Sequence, residues 1–264
     1  MDRLSLKGLI HSFGVGVFFW AFLIPAVYGQ SSPIGIDVIQ PKTIRIGSFF
    51  SGKKVTVRAV VPFGAKVALR IIGPREDLVL MKKGRVGGLW MNVQQVHFQN
   101  LPKVYLLWTS EKQAALETGW SVKAMGLDYL SFLSGSLQNK DPKDGHQLIN
   151  ELIKLKEADS LYHIFEGTVR IKPLEKGQWD QADAVLTLPS KIYPGTYSLE
   201  LIAFQEGKGS LLHSSTIEVK LAGFPALISE VAHQRGLLYG ILAVIIATFS
   251  GLLIGIVFTS KGGH

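Results

Sequence analysis

The sequence predicts a mainly β protein: an immunoglobulin-like antiparallel β-sandwich with a helical insertion and one C-terminal transmembrane helix. Three observations predict it, namely short segments of alternating apolar and polar residues, a Pro-Gly-x-Tyr corner, and an uncharged stretch near the C-terminus. Alternation with a period of two is typical of strands with one buried face. Several such strands separated by turns favour a sandwich.

The strand signals lie on both sides of a helical region. The β-rich first half, 30–113, contains "TIRI" (43–46), "KVTVRAVV" (54–61) and "KVALRII" (66–72), and the "PFGA" between the last two is of hairpin length. The β-rich second half, 166–223, contains "GTVRIKP", "ADAVLTLP", "GTYSLELIAF" and "STIEVKL". We interpret 114–165 as a helical insertion packed on one edge of a single sandwich. A helical linker between two small sandwiches is the alternative.

The segment "YPGTYSLELIAF" at 193–204 predicts a tyrosine corner. Pro194 and Gly195 are typical turn residues, and Tyr197 begins the strand that follows them. A tyrosine at this place in immunoglobulin-like domains bonds back to the main chain a few residues upstream. We therefore expect the Tyr197 hydroxyl to fasten this turn.

The two ends of the chain predict its membrane topology. Residues 1–29 resemble a signal peptide, with Arg3 and Lys7 before an apolar run and a cleavage site after Gly29; an uncleaved anchor helix is the alternative. Residues 237–258 carry no charge and are long enough to cross a hydrocarbon core of about 30 Å. We expect 224–236 to form a juxtamembrane helix and 259–264 to form a cytoplasmic tail. The sandwich would then lie outside the cytoplasm.

The composition excludes several types of chemical site and favours one cellular compartment. The chain has no cysteine and a formal net charge of +8. Disulfides, thiol nucleophiles and cysteine zinc sites are therefore excluded. The sequence also lacks an N-x-S/T glycosylation signal. These features favour a single-pass protein of the bacterial inner membrane with its main domain in the periplasm, where nucleic acid is not an expected partner.

No enzyme signature is recognisable. The sequence contains no H-E-x-x-H, G-x-S-x-G or P-loop motif, so we predict a non-enzyme with no catalytic residue, cofactor or metal. Met81, Met91 and His97 carry soft ligand atoms that would suit copper only if the fold brought them together.

A cluster of cations is predicted to form the interaction surface. If the apolar residues of the early strands face the core, the alternating cations share one outer face. This predicted interaction face would comprise Arg45, Lys54, Arg58, Lys66 and Arg70. Such a face could meet anionic headgroups, an acidic partner or an oxyanion. The alternative is an ordinary solvated strand face.

The stretch "GGLWMNVQQVHFQNLPKVYLLWTS" at 87–110 is rich in aromatic and polar residues. We interpret it as part of the sandwich seam, with Trp90 and Trp108 in the core or plugging an edge. On that interpretation Trp90 serves packing and the cationic face serves binding.

The predicted membrane helix carries small residues at every fourth position: Ala243, Ala247, Gly251 and Gly255. Small residues on one face let another helix approach closely in lipid. We predict that this stripe contacts a second copy or the helix of an integral-membrane partner; chance is the alternative, because small residues are common in membrane helices.

Several segments resemble an alphaproteobacterial transmembrane protein family, notably "IRIGSFFSGKKVTVRAVV", "RIIGPREDLVLMKKGRVGGLWMN" and "LLYGILAVIIATFSGLLIGIVF". The resemblance implies an exported domain and one membrane helix, and it assigns no catalytic or binding residue. Members of that family tend to be encoded near sulfite- and taurine-type anion exporters. The resemblance therefore implies a membrane-anchored transport accessory; a periplasmic ligand-binding or metal-handling module is the alternative.

Overall fold

A computed structural model describes residues 34–112, 121–138, 142–174 and 177–259. The predicted signal peptide at 1–29 and all of the predicted tail beyond Thr259 lie outside these residues. In chain order the described strands are β1 (Gly35–Gln40), β2 (Thr43–Ile46), β3 (Lys53–Pro62), β4 (Lys66–Ile72), β5 (Arg75–Val86), β6 (Leu89–Pro102), β7 (Tyr105–Thr109), β8 (Tyr162–Phe165), β9 (Arg170–Pro173), β10 (Trp179–Leu188), β11 (Gly195–Gln205) and β12 (Lys208–Leu221). The described helices are α1 (Ser121–Ala124), α2 (Tyr129–Leu133), α3 (Pro142–Ala158), α4 (Phe224–Gln234) and α5 (Gly236–Thr259).

The strands form two packed sheets and a projecting two-stranded arm. The first sheet has the order β1-β3-β10-β9, the second has the order β2-β12-β11-β4-β7-β8, and β5 pairs with β6. The first sheet reproduces the A-B-E-D order of an immunoglobulin-like sandwich, and the centre of the second sheet reproduces its G-F-C order. The predicted mainly β fold is therefore confirmed. The second sheet is mixed, because β2 runs parallel to β12 and β7 runs parallel to β8.

Strands from before and after the insertion interleave in both sheets. β3 pairs with β10 in the first sheet, and β4 pairs with β11 in the second. Neither half could close its sheet alone, so the alternative of two small sandwiches is wrong. The expected hairpin between β3 and β4 is also wrong, because the "PFGA" link carries the chain from one sheet to the other.

The core lies between the sheets and follows the predicted alternation on β3. Val55, Val57, Ala59 and Val61 are fully buried, whereas the residues between them are exposed or half-buried. β4 departs from this pattern, since every residue from Val67 to Ile72 is buried. Its outward face is covered as well as its inward face, and the insertion supplies the cover.

The helical insertion packs on the second sheet and on the arm. The main-chain oxygens of Met125 and Gly126, between α1 and α2, contact β4. α3 buries the apolar side chains of Ile149, Leu152 and Ile153. The helices of the insertion therefore lie over a face of the second sheet and beside the arm, and its last residues, 162–165, form β8 at the edge of that sheet.

The chain leaves the sandwich at the end of β12. Leu221 pairs with Ile46, the Ala222 N–H donates to the Ile46 carbonyl over 2.8 Å, and α4 begins at Phe224. α5 follows and includes the one span, Gly236–Ile256, that is long and apolar enough among the described residues to cross a membrane. We call the end of the sandwich that contains Leu221 the tether end.

The predicted tyrosine corner is present. The fully buried Tyr197 donates its hydroxyl hydrogen to the Tyr193 carbonyl over 2.8 Å and accepts from the Tyr193 N–H over 3.1 Å. The hydroxyl therefore satisfies both main-chain groups of Tyr193 at the turn into β11. Burial raises the pKa of Tyr197 to about 12, so the hydroxyl stays protonated at neutral pH.

We predict that Tyr197→Phe destabilises the protein by about 1–3 kcal/mol, because two main-chain groups lose their partner. Tyr193→Phe is the matched control, since Tyr193 contributes only main-chain atoms to the corner. The free energy of unfolding of both variants is measured by denaturing the detergent-solubilised full chain and monitoring near-ultraviolet circular dichroism. Equal stabilities of the two variants would contradict a fastening role for the corner.

Candidate functional site

The arm is a continuation of the second sheet. The Gly73 N–H donates to the Val104 carbonyl, and the Lys103 N–H donates to the Pro74 carbonyl, each over 2.8 Å. These bonds join the β4–β7 ladder to the β5–β6 ladder. One antiparallel ribbon therefore runs out of the sandwich, and at about 3.3 Å per residue β5 alone extends it by about 40 Å.

A two-glycine turn closes the ribbon. Val86 pairs with Leu89, and Gly87 and Gly88 between them have φ values of +58° and +86°. Two consecutive positive φ values are the signature of a type I′ turn, whose twist matches that of a hairpin. Glycine adopts this conformation without strain, so the sequence itself favours a tight end to the arm.

Helix α3 supports the root of the arm. Val96 and Phe98 of the arm and Leu152 of α3 are buried in one cluster. Glu76 at the root accepts from Lys156 of α3 and lies in an ion pair with Lys103, both at 3.3 Å. Lys156 is 7% exposed at its side chain, so this contact is largely removed from water. The root is therefore held firmly against the insertion.

Beyond α3 the arm presents apolar side chains to solvent. The β5 residues that line the cleft between the arm and α3 run from Leu80 to Lys83, and no residue beyond Lys83 in β5 contributes. We call residues 84–93 the arm tip. Its large apolar side chains are exposed: Val86 53%, Leu89 69%, Trp90 68%, Met91 51% and Val93 49%. An exposed apolar set of this kind is typical of an interaction surface.

The interpretation of Trp90 as a core residue is therefore wrong. Trp108, the other tryptophan of the stretch, is 2% exposed and stacks on Phe165 with ring centroids 5.0 Å apart. The two differ because β7 lies inside the second sheet and β6 projects from it. The residue pattern along the strand does not distinguish the two tryptophans. Only the pairing of their strands in the tertiary structure explains why one is exposed and the other is buried. The Gly87–Gly88 pair between two apolar segments is the sequence signal that would have indicated a hairpin turn here.

The arm tip also carries positive charge. Arg85 lies in the arm tip and Lys83 lies just behind it, and no Asp or Glu occurs from Leu78 to Ser110. Lys82 is half-buried in the cleft against α3, which Glu151 also lines. The Arg85 guanidinium carbon lies 5.7 Å from the centre of the Trp90 ring, across the ribbon. This cation–π contact orients the indole while leaving it exposed.

The prediction that the five cations share one outer face is wrong. Lys54 and Arg58 lie on the first sheet, whereas Arg45, Lys66 and Arg70 lie on the second. The outer faces of two packed sheets point in opposite directions, so strand alternation alone could not place the five together. Arg45 and Lys54 are exposed and lie toward the tether end, where they pair with Lys220 and Thr187 respectively. Lys66 lies at the opposite end and pairs with Glu111 over 2.9 Å.

Arg70 is a buried structural residue. Its Nε and Nη2 donate to Glu200 over 2.8 and 2.6 Å, and its Nη1 donates to the carbonyls of Met125 and Gly126 over 2.7 and 3.0 Å. The side chain is 10% exposed. Arg70 therefore fastens the insertion to the outer face of β4, and its expected place on a solvated face is wrong.

A buried tyrosine completes this junction. The Tyr105 hydroxyl lies within 3.1 Å of the carbonyls of Gly126 and Leu127. Burial raises the pKa of Tyr105 well above its ordinary value, although the nearby Arg70 opposes the change. The hydroxyl thus remains a hydrogen-bond donor that holds the insertion.

Arg58, in contrast, lies on the surface. Its Nε donates to Asp183 over 3.0 Å across the β3–β10 pairing, and its side chain is 50% exposed. Burial would raise the pKa of Asp183, but the hydrogen bonds from Arg58 and Gln181 and the positive charge of Arg58 outweigh it and lower the pKa.

The small residues of α5 fall into two groups. Ala243 and Ala247 line an apolar groove together with Phe224, Leu227 and Val231 of α4. Gly251 and Gly255 lie further along α5, where a Cβ added to either glycine would meet no described atom of another element within 4 Å. The predicted stripe is therefore divided, with its first half facing α4.

The three soft ligands are not assembled. Met81 pairs with Gln95, whereas Met91 pairs with Gly84, three residues further along the arm. Among the described residues, no group of three or more His, Cys, Asp or Glu side chains could hold a metal ion.

The model of a protein family described as Putative transmembrane protein (Alph_Pro_TM) matches residues 36–260, which include the sandwich, the arm and α5. The chain belongs to this family. The resemblance seen in the sequence is confirmed, and a membrane protein with one candidate transmembrane helix agrees with it. No curated protein matches the chain.

We predict that Arg70→Met destabilises this family member by about 3–5 kcal/mol, because Glu200 stays largely buried without its partner. Arg58→Met is the matched control and should cost at most about 1 kcal/mol, since that ion pair is exposed. Replacing Glu200 by Leu in the Arg70→Met chain should recover much of the loss. Denaturation of the full chain in detergent measures all three, and equal effects of the two single variants would contradict the assignment.

Proposed function

We propose that the protein is a non-enzymatic, single-pass accessory protein of the bacterial inner membrane whose periplasmic sandwich binds an integral-membrane partner. The observation that carries the proposal is the tether end. The chain passes from β12 to α4 through only Ala222 and Gly223, and α4 leads through Arg235 to the membrane-length helix α5. The sandwich is therefore held within about the length of one 11-residue helix, about 17 Å, of the start of α5. A domain tethered this closely meets other membrane proteins at a high effective concentration.

Exposed side chains at the tether end support a binding role. Phe49, in the loop between β2 and β3, is 99% exposed, and this loop begins beside Ala222. Arg45 and Lys54 add positive charge near the same end. Their charge suits an anionic partner surface or the steering of anions toward a transporter. An anion exporter of the sulfite or taurine type is the partner that the family resemblance favours.

The buried polar groups support a non-enzymatic role. Arg70, Glu200 and Tyr105 form a buried polar cluster whose hydrogen bonds hold the insertion on the sheet. These bonds give the three side chains a structural role, whereas a catalytic group needs an open position beside a substrate.

The topology is tested by reporter fusions. Alkaline phosphatase fused after Gly223 should be active, because the enzyme matures only outside the cytoplasm, and a fluorescent protein fused after His264 should fluoresce. As the control, the two reporters are exchanged, with the fluorescent protein after Gly223 and alkaline phosphatase after His264. An inactive phosphatase together with a fluorescent cytoplasmic reporter at Gly223 would contradict the periplasmic placement.

The partner is tested by crosslinking and purification of the full chain from native membranes. We expect one reproducible integral-membrane protein, and we expect Gly251→Leu with Gly255→Leu to abolish its association, because the larger side chains block close helix packing. Ile246→Leu with Ser250→Leu is the matched control, because these residues lie about 100° or more around α5 from the two glycines. Unchanged co-purification of the glycine variant would leave α5 as an anchor only. Tight binding of sulfite, sulfate or copper by the purified protein alone would favour the ligand-binding alternative.

A further inference from the structure

We infer that the arm tip inserts into the interfacial layer of the same membrane that holds α5, and that its cations bind anionic lipid headgroups. This contact joins the β5–β6 arm to a lipid surface, and it does not depend on the identity of any protein partner.

The side chains of the arm tip suit a lipid surface. Exposed Leu89, Trp90 and Met91 lie next to two exposed cations, Lys83 and Arg85, which pair with Asn92 and Trp90 across the ribbon. Tryptophan favours the membrane interface because its ring is apolar and its N–H is polar. Lysine and arginine next to an apolar tip are attracted by the negative surface of anionic lipids. The charge and the apolar surface of the arm tip thus match one partner, an anionic bilayer.

The root of the arm lies at the end of the sandwich that is tethered to the membrane. The arm leaves β4 at Ile72, and a Cβ built on Gly195 would lie 3.1 Å from Pro74 at the root of the arm. Gly195 pairs with Val219, near the end of β12. The root of the arm and the exit toward α5 therefore share the tether end of the second sheet. An arm about 40 Å long that starts there can reach the bilayer surface.

The open edges of the arm limit how deeply it can enter. The arm is a two-stranded ribbon, so part of its main-chain N–H and C=O groups face outward along its edges. Unpaired main-chain groups are not tolerated in the hydrocarbon core, which only helices and closed barrels cross. The arm tip can therefore enter no further than the interface, where headgroups and water satisfy those groups. Its tight Gly87–Gly88 turn places the apolar side chains at the leading end.

The chain offers a direct test because it has no cysteine. Met91→Cys gives a single site for an environment-sensitive NBD label on the arm tip. Lys208→Cys is the matched control, since Lys208 is the exposed first residue of β12, beside the turn at the opposite end of the second sheet. Each full-length chain is reconstituted without other proteins into vesicles of phosphatidylethanolamine with phosphatidylglycerol, and into phosphatidylcholine vesicles.

In the anionic vesicles we expect the label at 91 to show a blue-shifted emission, loss of quenching by aqueous iodide, and quenching by a spin label carried near the lipid headgroups. The label at 208 should remain aqueous. Changing Lys83 and Arg85 to Gln should weaken insertion, as should high salt, because both weaken the attraction to the headgroups. Leu89→Ala with Trp90→Ala should also weaken it, while the unfolding temperature of each variant stays unchanged.

Three results would overturn the inference. The label at 91 could be quenched by iodide as fully as the label at 208, which would leave the arm tip in water. It could be protected from iodide yet insensitive to the lipid-borne quencher, with protection rising with protein density, which would assign the arm tip to a second copy of the chain. Equal insertion into phosphatidylcholine would overturn the role of the cations. Because no protein partner is present, failure here is distinct from failure of the proposed accessory role.

Discussion

The rest of the structure depends on the burial of strand β4 on both faces. Its inward face closes the core between the sheets, and its outward face is covered by the insertion through Arg70, Glu200 and Tyr105. A cation in such a place is stable only because it is paired and hydrogen-bonded, and each of the three guanidinium nitrogens of Arg70 donates to a partner. This junction holds the insertion on the sheet, and the insertion in turn supports the root of the arm through α3.

A supported root makes the exposed arm tip possible. An isolated two-stranded hairpin is only marginally stable in water. Here the ribbon continues the β4–β7 ladder at one end and packs against α3 along its side. Most of the free energy needed to order it is therefore supplied within the domain, and the arm tip can present apolar residues that the protein itself does not bury. The same packing of the root against the sheet and α3 thus stabilises the arm and allows its tip to remain exposed.

Much of the fold followed from local patterns. The alternation of β3, the corner at Tyr197 and the uncharged span of α5 each depend on neighbours within a few residues, so the sequence predicts them well. The candidate site did not follow in the same way. Arg58 and Arg70 have the same local pattern, yet one lies at the surface of the first sheet and the other lies beneath the insertion on the second. The difference depends on which segment covers each strand.

The sequence by itself determined the fold class, the family and the presence of one membrane-length helix, because hydrophobic period and length act locally along the chain. The tertiary structure decided which cations share a surface and which tryptophan is buried. Trp90 and Trp108 are both aromatic residues in strands of one ribbon, and only the packing of β7 within the sheet buries the second. Whether a side chain is buried depends on which segment packs against its strand. That segment comes from a distant part of the chain, so local sequence patterns do not reveal it.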